Sequence, residues 1–292
     1  MSAAAAPSRL ATILPALFVA LQYLLPQHAL SRVLFAATRV RTRWFKNLLT
    51  RGFLHLYRVD LAQAAETDPL QYSCFNAFFT RALQPDARPI AADPAAIASP
   101  ADGTVSACGR IDGERLLQAK GHHYALGDLL AGQACATEFA GGSFMTIYLA
   151  PCDYHRVHMP FAGRLRETVY VPGRLFSVNA STVSRVPRLF ARNERVMTVF
   201  DGAAGPFALI LVGALNVGSI ATVWAGDITP ARRRRITRLQ PADVALAKGA
   251  ELGRFNMGST VIMLFAAGRA RWDDGLGSNS RVLLGQAVGR VA

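Results

Sequence analysis

The sequence predicts an α+β protein in which amphipathic, membrane-associated N-terminal helices precede a β-rich domain with a sandwich-like or barrel-like core. Apolar residues recur at helical spacing over residues 41–57, behind an almost wholly apolar stretch over residues 10–26. Short runs rich in Val, Ile, Thr and aromatic residues follow, each bounded by Gly, Pro or Asp. We therefore expect a helical segment over residues 1–60 and a β-rich domain over residues 61–292.

The first apolar stretch, residues 10–26, is interrupted by Pro15 and Gln22. A membrane-spanning helix needs about 20 predominantly apolar residues, so this stretch is too short and too kinked to cross a bilayer. A secretory signal peptide is the alternative, because Arg9 precedes the apolar run. Basic residues just downstream disfavour export. They are Arg32, Arg39, Arg41, Arg43 and Lys46.

Residues 41–57 have the pattern of a basic amphipathic helix. Basic side chains, including Lys46, occupy its other faces, and Trp44 stands near its start. This pattern is typical of a helix that lies in a membrane interface, and a surface helix packed on the protein's own core is the alternative. The apolar residues on one predicted face are Phe45, Leu48, Leu49, Phe53 and Leu56.

The charge balance of the chain favours an anionic partner. Lys and Arg number 32 against 19 Asp and Glu, a formal net charge of +13. Such an excess suits a nucleic acid or an anionic membrane. Because no RNA-recognition, zinc-finger or helix-turn-helix signature accompanies it, we expect no nucleic acid partner. We expect instead a peripheral position on the cytoplasmic face of the cell (inner) membrane. The cysteines are widely spaced and resemble the reduced thiols of an intracellular protein.

The β-rich domain opens with a predicted short helix over residues 72–81, with Phe75, Phe78 and Phe79 on one face. Prolines spaced over residues 85–100 then indicate an extended, irregular passage. The predicted strands after it are residues 143–150, 195–201, 207–213, 219–225 and 260–266.

Two clusters ahead of the last strand contain residues suited to proton transfer. Asp102 lies in Ser-Pro-Ala-Asp-Gly-Thr, which is also a common turn without function. His155 and His158 lie in Asp-Tyr-His-Arg-Val-His-Met-Pro, where their spacing would also suit two metal ligands on a helix. No carboxylate or cysteine pattern completes a zinc set, so we expect no metal and favour acid–base chemistry.

A third cluster, Gly258-Ser259, stands at the mouth of the last predicted strand. Gly258 has no Cβ, so its carbonyl carbon is open to attack by Ser259 Oγ. The attack would replace the peptide bond with an ester, and β-elimination would cut the chain and leave dehydroalanine, which hydrolyses to a pyruvoyl group. An ordinary tight turn is the alternative. With Asp102 and His158, Ser259 would complete the usual set of nucleophile, base and orienting carboxylate.

Further motifs stand in order along the chain and, with these three clusters, resemble one family. The resemblance is to the pyruvoyl-dependent phosphatidylserine decarboxylase proenzymes of the bacterial membrane-associated type, and it spans residues 21–286. The family usually has Leu where this chain has Met257, a change that keeps apolar bulk. The further stretches are residues 118–122, 170–179, 189–195, 212–219, 223–226 and 248–262.

The resemblance implies a self-processing enzyme that converts phosphatidylserine to phosphatidylethanolamine and CO2 in phospholipid biosynthesis. By that match, Asp102 and His158 would activate Ser259 for cleavage after Gly258. His155 would assist decarboxylation or protonation of the substrate. The cofactor would be a covalent pyruvoyl group derived from Ser259, acting as the electron sink.

The resemblance also implies the products and the substrate contacts. The catalytic domain, residues 61–292, would be cut so that the β chain is residues 1–258 and the α chain is residues 259–292. The two chains would form a tight heterodimer, and two heterodimers would pair as a homodimer. The pocket for the phosphatidylserine head group would be lined by Phe176, Ser177, Val178 and Asn179.

Two other functions use the same residues. A serine hydrolase would act through Ser259 on an intact chain, although Ser259 lacks a Gly-x-Ser-x-Gly elbow. It would run as one band near 31.4 kDa, where a processed decarboxylase runs as two. A non-catalytic membrane-binding protein is the other alternative. The presence of Asp102, His155, His158 and Ser259 together argues against it.

Overall fold

The computed structural model describes residues 9–119, 121–215, 218–231, 234–239, 243–257 and 259–292. Gly258, one half of the predicted cleavage site, lies outside the described residues. The helices are α1 Arg9–Leu24, α2 Gln27–Thr38, α3 Arg43–Leu56, α4 Phe75–Phe79, α5 Leu126–Leu129, α6 Ala180–Val183 and α7 Leu189–Arg192, with a 3-10 helix at Ala134–Phe139.

The strands follow α4 and continue to the end of the chain. They are β1 Ala96–Ala98, β2 Gly103–Arg110, β3 Arg115–Ala119, β4 His122–Ala125, β5 Ser143–Tyr148, β6 Arg156–His158, β7 Gly163–Val171, β8 Arg195–Gly202, β9 Gly205–Val212, β10 Ile220–Thr222, β11 Gly226–Asp227, β12 Thr237–Leu239, β13 Ala245–Leu246, β14 Glu251–Phe255, β15 Thr260–Phe265, β16 Ala270–Trp272, β17 Arg281–Val282 and β18 Ala287–Val291. Helices followed by a β-rich domain confirm the predicted α+β class.

The N-terminal segment is helical, as the periodicity predicted, and α1 continues through Pro15. Over the described residues, none of the helices has both the length and the apolar character that crossing a membrane requires. Helix α3 matches the predicted helix to within two residues at its start. The predicted short helix is also present as α4.

Helix α3 packs on α4 through what we call the phenylalanine cluster, Phe75, Phe78 and Phe79. Leu49 and Phe53 of α3 contact this cluster, and the Phe53 and Phe75 ring centroids are 5.4 Å apart. Aromatic rings in such edge-to-face contact add to the gain from apolar burial. Part of the predicted apolar face of α3 is therefore used for intramolecular packing.

Of the rest of that predicted face, Phe45 is partly buried and the two leucines are exposed. Leu48, Leu56 and Trp44 of α3 all present most of their surface to solvent. Lys46 was predicted to contribute to the basic faces of this helix, but its side chain is buried. Its Nζ donates to the Leu70 carbonyl oxygen at 2.7 Å, which supplies the partner that a buried ammonium needs.

The main sheet has the described strands in the order β12-β7-β8-β9-β15-β5-β2-β17, with β13 beside β7, and every pair is antiparallel. The central strand β15 is buried along its whole length, as its apolar run predicted. Thr260 at its start pairs with Tyr148 of β5 and Val212 of β9. Among these strands β12 and β17 are edges, so the barrel-like alternative is wrong and the domain is built from open sheets.

A second sheet, in the order β11-β10-β14-β6, holds the strand that precedes β15 in sequence. The chain leaves β14 after Phe255 and enters β15 at Thr260, so residues 256–259 connect the two sheets. Gly253 of β14 fits this sheet because a Cβ there would lie 2.2 Å from the Ala221 carbonyl oxygen of β10. The predicted cleavage site therefore lies in a connection that is fixed at both ends.

Candidate active site

Ser259 lies at the main-sheet end of this connection and is fully buried. Its carbonyl oxygen accepts a hydrogen bond from the Leu149 N–H at 2.8 Å, which continues the pairing of β15 with β5. Its Oγ has no hydrogen-bond partner among the described residues. A buried hydroxyl without a partner costs free energy and calls for an explanation. Ser259 Oγ therefore adds no hydrogen bond to the fold among the described residues.

His158 is the last residue of β6 and pairs with Glu251 of β14. Its Nδ1 is 2.9 Å from the Gly249 carbonyl oxygen, which can only accept, so the proton lies on Nδ1. Its Nε2 then accepts from the Tyr154 hydroxyl at 3.1 Å. Burial lowers the pKa of His158, so the ring is neutral near pH 7. This is the protonation state and tautomer that a general base requires.

Tyr154 was predicted only as one of the residues that flank the two histidines and favour proton transfer, with no specific role of its own. Burial raises the pKa of Tyr154 to about 12, so its hydroxyl stays protonated and donates to His158 Nε2. Gly249 lies within residues 248–262, one of the stretches that resemble the family, and had no predicted role of its own. It has φ +79, and a Cβ there would lie 2.7 Å from Ile90 Cγ1. A glycine is therefore needed where the chain offers its carbonyl to His158.

Asp102 is buried, but its carboxylate is not hydrogen-bonded to His158 among the described contacts. It accepts from Arg88 Nη2 at 2.6 Å and Nε at 2.9 Å, and from the Leu284 N–H at 2.8 Å. The backbone joins the two clusters instead, since the His158 N–H donates to the Pro100 carbonyl oxygen at 2.8 Å. The negative charge of Asp102 raises the pKa of His158, against the larger lowering by burial. Its connection to His158 is therefore electrostatic.

His155 is fully buried on the other side of the same motif. Its Nδ1 donates to the Asp153 carbonyl oxygen at 2.8 Å, and its ring packs on Phe79 with centroids 4.1 Å apart. Burial lowers the pKa of His155 to about 3, so it is neutral. Its Nε2 has no partner within the described part of the chain. The His155 carbonyl oxygen accepts from the Phe255 N–H at 3.0 Å, next to the connection.

Three arginines frame this motif, of which Arg81 is buried and Arg281 is exposed, and sequence reasoning missed them. Arg281 Nη2 is 2.5 Å from Asp153 Oδ1. Arg81 is almost fully buried and donates to the Cys152 carbonyl oxygen at 3.3 Å. With Arg88 on Asp102, these cations balance the acids of the two motifs. No local pattern marks them, because each pairs with a residue far along the chain.

The chain just before the predicted cleavage site is held by a polar network around Asn256. The Asn256 side chain donates to Ser219 Oγ and to Asp227 Oδ1, the latter at 3.0 Å, and accepts from Asn76 Nδ2 at 3.0 Å. Arg39, the residue after α2, donates to the same Asp227 at 3.2 Å. Next to Asn256, Met257 packs against the phenylalanine cluster. The N-terminal helices α2 and α3 therefore help to position this connection.

A cavity of about 310 Å³ with a mainly apolar lining lies along β2, and Ser259, His155 and His158 are not among its lining residues. Tyr148, the cross-strand partner of Thr260, forms one wall, and Thr104 and Val178 form others. Val178 is the member of the predicted head-group set that lines this cavity. Through Tyr148 the cavity reaches β5, the strand next to β15.

The other members of that set have structural contacts. Phe176 is buried against Tyr23 of α1, with ring centroids 4.8 Å apart. The Ser177 N–H donates to Gln22 Oε1 at 2.7 Å. Asn179 caps α6, because its Oδ1 accepts from the Thr182 N–H at 2.9 Å.

Comparison with known proteins gives one consistent match. A protein-family model described as phosphatidylserine decarboxylase matches residues 75–290, and a second, described as PSD, matches residues 17–58. The phosphatidylserine decarboxylase proenzyme of Methylococcus capsulatus is 54% identical over 276 residues, 94% of this chain and 96% of that protein. The proenzymes of the same name from Pseudomonas fluorescens and Pseudomonas putida are similar. The first is 53% identical over 278 residues, 94% of this chain and 96% of that protein. The second is 54% identical over 277 residues, 93% of this chain and 96% of that protein.

Proposed function

Since this chain belongs to the phosphatidylserine decarboxylase family, we propose that it converts phosphatidylserine to phosphatidylethanolamine and CO2 after cutting itself between Gly258 and Ser259. The observation that carries the self-cleavage is the buried Ser259 hydroxyl without a hydrogen-bond partner among the described residues. It lies in a connection fixed by two sheets, in a chain whose relatives are named proenzymes. Residues 61–292 are the catalytic domain, and residues 1–60 are the membrane-associated helices.

The cleavage chemistry assigns distinct tasks to Ser259 and His158. Once the Tyr154 hydroxyl has turned away from His158 Nε2, Ser259 Oγ attacks the Gly258 carbonyl carbon while its proton passes to Nε2. The peptide nitrogen takes that proton from His158 and leaves as the amine of Ser259. Loss of the Ser259 α-proton then expels the Gly258 carboxylate and leaves dehydroalanine, whose hydrolysis releases ammonia and yields the pyruvoyl carbonyl. The neutral, Nδ1-protonated state of His158 supports its role as the base. The charge of Asp102 stabilises the imidazolium that forms.

Decarboxylation places different demands on the residues around position 259. A pyruvoyl group there would supply the carbonyl that takes up the electrons released with CO2. His155 Nε2 accepts a proton from the bound substrate and returns one to the carbon that has lost the carboxylate. Its neutrality and unpartnered Nε2 in the described part of the chain support this role. The buried surroundings exclude water, which favours loss of the charged carboxylate.

The two chains remain together after the cut. The α chain, residues 259–292, contains β15, which pairs with β9 and β5 of the β chain on its two edges. It also contains β17 and β18, which pair with β2 and β1. Separating the chains would expose the fully buried side chains of β15 to water, so a tight heterodimer is expected. We further propose that two such heterodimers form a homodimer.

The head group of phosphatidylserine lies in the cavity beside Tyr148, in contact with Val178. Phe176, Ser177 and Asn179 shape this wall, since their contacts with α1 and α6 fix the backbone on both sides of Val178. Of the four predicted head-group residues, Val178 contacts the head group and the other three hold the backbone around Val178 in place.

The masses of the chains in the purified protein test the proposed self-cleavage. Intact mass spectrometry should find two chains that divide between residues 258 and 259, and an α chain whose N-terminus carries a carbonyl in place of the amine of Ser259. A single chain of 31.4 kDa would contradict self-cleavage and favour a serine hydrolase. Two chains without that carbonyl would contradict the decarboxylase and favour a non-catalytic membrane-binding protein.

Exposed apolar side chains on the N-terminal helices support peripheral association with the cytoplasmic face of an anionic membrane, which we call the membrane seat. Leu14, Leu17, Leu21 and Leu24 follow helical spacing along α1, and all are exposed. The net charge of +13 adds attraction to anionic lipid, about 1 kcal/mol for each basic residue near the surface. The same attraction concentrates phosphatidylserine, which is itself anionic, near the active site.

Replacing the exposed leucines of α1 should release the protein from vesicles. Burying a leucine contributes about 1.5–3 kcal/mol, and three of them contribute about 4.5 kcal/mol or more. The triple variant Leu17→Ser, Leu21→Ser and Leu24→Ser should therefore bind phosphatidylserine vesicles at least about 10³-fold more weakly. Co-sedimentation measures this. Deleting residues 1–57 is a less clean test, because it also removes Phe53 and Arg39, which help to position the cleavage site.

The matched control replaces three exposed apolar residues outside the N-terminal helices. They are Val223, Ile236 and Leu283, each changed to Ser. The control should bind vesicles as the unaltered chain does, and both variants should still cut themselves. Equal binding by the α1 variant and the unaltered chain would show that α1 is not the anchor.

A further inference from the structure

A pocket on the surface, which we call the arginine pocket, is lined by Pro172, Gly173, Arg174, Arg192 and Arg234 and encloses about 510 Å³. It is separate from the cavity beside Tyr148 and shares none of its lining residues. Arg234 also belongs to the run of four arginines at residues 232–235. The pocket therefore concentrates positive charge in a site to which the reaction assigns no task.

These arginines have no acidic partner. Within the described residues, which include every Asp and Glu of the chain, no carboxylate lies within 4.0 Å of Arg174, Arg192 or Arg234. Glu194 is close enough for Arg234 to affect its pKa, but it is buried and accepts from the Tyr170 hydroxyl at 2.7 Å. Burial also raises the pKa of Glu194, which weakens its negative charge further. The charge of the pocket is therefore not neutralised from within the chain.

The guanidinium groups are nevertheless held in place. Arg192 stacks over the Phe176 and Tyr23 rings at 5.0 and 5.6 Å. Arg174 Nη2 donates to the Tyr23 carbonyl oxygen at 3.3 Å, and Arg234 Nη2 donates to the Gly173 carbonyl oxygen at 3.0 Å. Of the five N–H donors of an arginine, these contacts use only a few, and the rest face a ligand or solvent. Held guanidinium groups with unused donors are suited to a phosphate ester, which takes several such donors at once.

His28 contacts Gly173 of the arginine pocket, and its pKa responds to the positive charge of the arginines there. Its Nε2 donates to the Gly173 carbonyl oxygen at 2.9 Å, beside the donor from Arg234. Burial lowers the pKa of His28, and the charges of Arg234, Arg32 and Arg174 lower it further. A ring that carries no charge near pH 7 leaves the arginines as the cations that face a ligand.

The surroundings of the pocket determine which phosphate ester fits. Tyr23, which contacts both Arg174 and Arg192, is a residue of α1. Its neighbour Leu24, and Leu21 one turn earlier, are exposed on the same helix. A ligand here meets cations and an unpartnered apolar surface together, and a phospholipid has both complements.

We propose that the arginine pocket binds the phosphate of an anionic phospholipid and so orients the protein on the bilayer, at a site distinct from the one where the substrate reacts. The proposal rests on the peripheral membrane seat proposed above. It adds to that seat a defined binding site with a preference for anionic lipid over zwitterionic lipid. The lipid held there is not consumed, because the pocket lies apart from Ser259.

The test compares two triple variants of the full chain that each remove three positive charges. The first replaces Arg174, Arg192 and Arg234 with Ala, and the second replaces the exposed Arg110, Arg115 and Arg269 with Ala. Binding is measured by co-sedimentation with vesicles of phosphatidylcholine containing phosphatidylglycerol, and with phosphatidylcholine alone. The first variant should bind the anionic vesicles at least about tenfold more weakly than the second, because loss of phosphate contacts adds to the shared loss of net charge.

Other outcomes overturn the proposal in distinguishable ways. Equal weakening of the two variants would mean that only net charge matters, and the pocket would not be a site. Binding of glycerol 3-phosphate by the unaltered chain, lost in the first variant without any change in vesicle binding, would assign the pocket to a free phosphate ester. If the unaltered chain ignores both kinds of vesicle, the membrane seat itself fails. Self-cleavage of both variants is the check that each has folded.

Discussion

Ser259→Ala should leave the protein as one uncut chain of 31.4 kDa with no decarboxylase activity. The substitution removes the Oγ that attacks Gly258, so neither the ester nor the pyruvoyl group can form. It removes nothing from the fold, because that Oγ has no hydrogen-bond partner among the described residues. The measurement is a denaturing gel with intact mass spectrometry of the purified protein. Activity is assayed on phosphatidylserine in detergent.

The matched control is Ser31→Ala, which removes another buried serine hydroxyl, on α2. That variant should cut itself and decarboxylate as the unaltered chain does. Far-ultraviolet circular dichroism should show Ser259→Ala with the secondary structure of the processed protein, since β15 keeps its pairing on both edges in either state. Cleavage of Ser259→Ala between residues 258 and 259 would sink the self-processing proposal.

The parts of the fold that the sequence predicted are those with a local cause. Strands β5, β8, β9 and β15 are continuous apolar runs that are buried on both faces, and such runs are visible in the sequence. Helix α4 was found from the spacing of Phe75, Phe78 and Phe79, all of which are buried. Local chemistry also identified the clusters around Asp102, His155, His158 and Ser259.

The parts that were missed depend on contacts between distant residues. Strand β7 carries charged side chains in its middle, so its hydrophobic signal is weak. Arg166 in that strand is held instead by Glu138 at 2.7 Å and by Asp201 of β8. Whether the sheet closes into a barrel is decided by which strands form its edges, and no single segment contains that information.

The same distinction explains the site. The sequence paired Asp102 with His158 by analogy with a catalytic triad, whereas the carboxylate is hydrogen-bonded to Arg88 and to the Leu284 N–H. Arg88 lies in the proline-rich passage, where nothing in its neighbourhood marks it as the partner of a buried acid. The partner of His158 Nδ1 is a backbone carbonyl, that of Gly249, and any residue type supplies one.

Replacing Asp102 should therefore slow self-cleavage without the complete loss seen on removing Ser259. Asp102→Asn keeps the shape but removes the charge that stabilises protonated His158, and it leaves Arg88 without its anionic partner.

Replacing the two histidines should have effects that differ more sharply, because the two rings have different hydrogen-bond partners. His158 has its proton fixed on Nδ1 by Gly249, whereas His155 is held by Asp153 and Phe79.

His158→Ala should slow self-cleavage by about 10²–10⁴, the usual effect of losing a general base, while His155→Ala should cut nearly normally and decarboxylate poorly. Cleavage is followed by gel after a pulse of synthesis, and decarboxylation by CO2 release from the processed protein. His123→Ala, which changes an exposed histidine outside the site, is the control and should leave both rates unchanged. Normal cleavage in His158→Ala with none in His155→Ala would reverse the two roles.

The pH dependence of cleavage gives a second reading of the same assignment. Burial lowers the pKa of His158, so its base form already predominates at the usual histidine pKa of about 6.5. The cleavage rate should therefore reach its plateau at a lower pH than an unshifted histidine would allow, and it should fall as the pH drops through the lowered pKa, where Nε2 becomes protonated. Asp102→Asn removes an effect that raises this pKa, so the fall should move to lower pH. A rate that declines as pH rises from 6.5 would mean that the protonated ring is the active form, and His158 would then be an acid rather than the base.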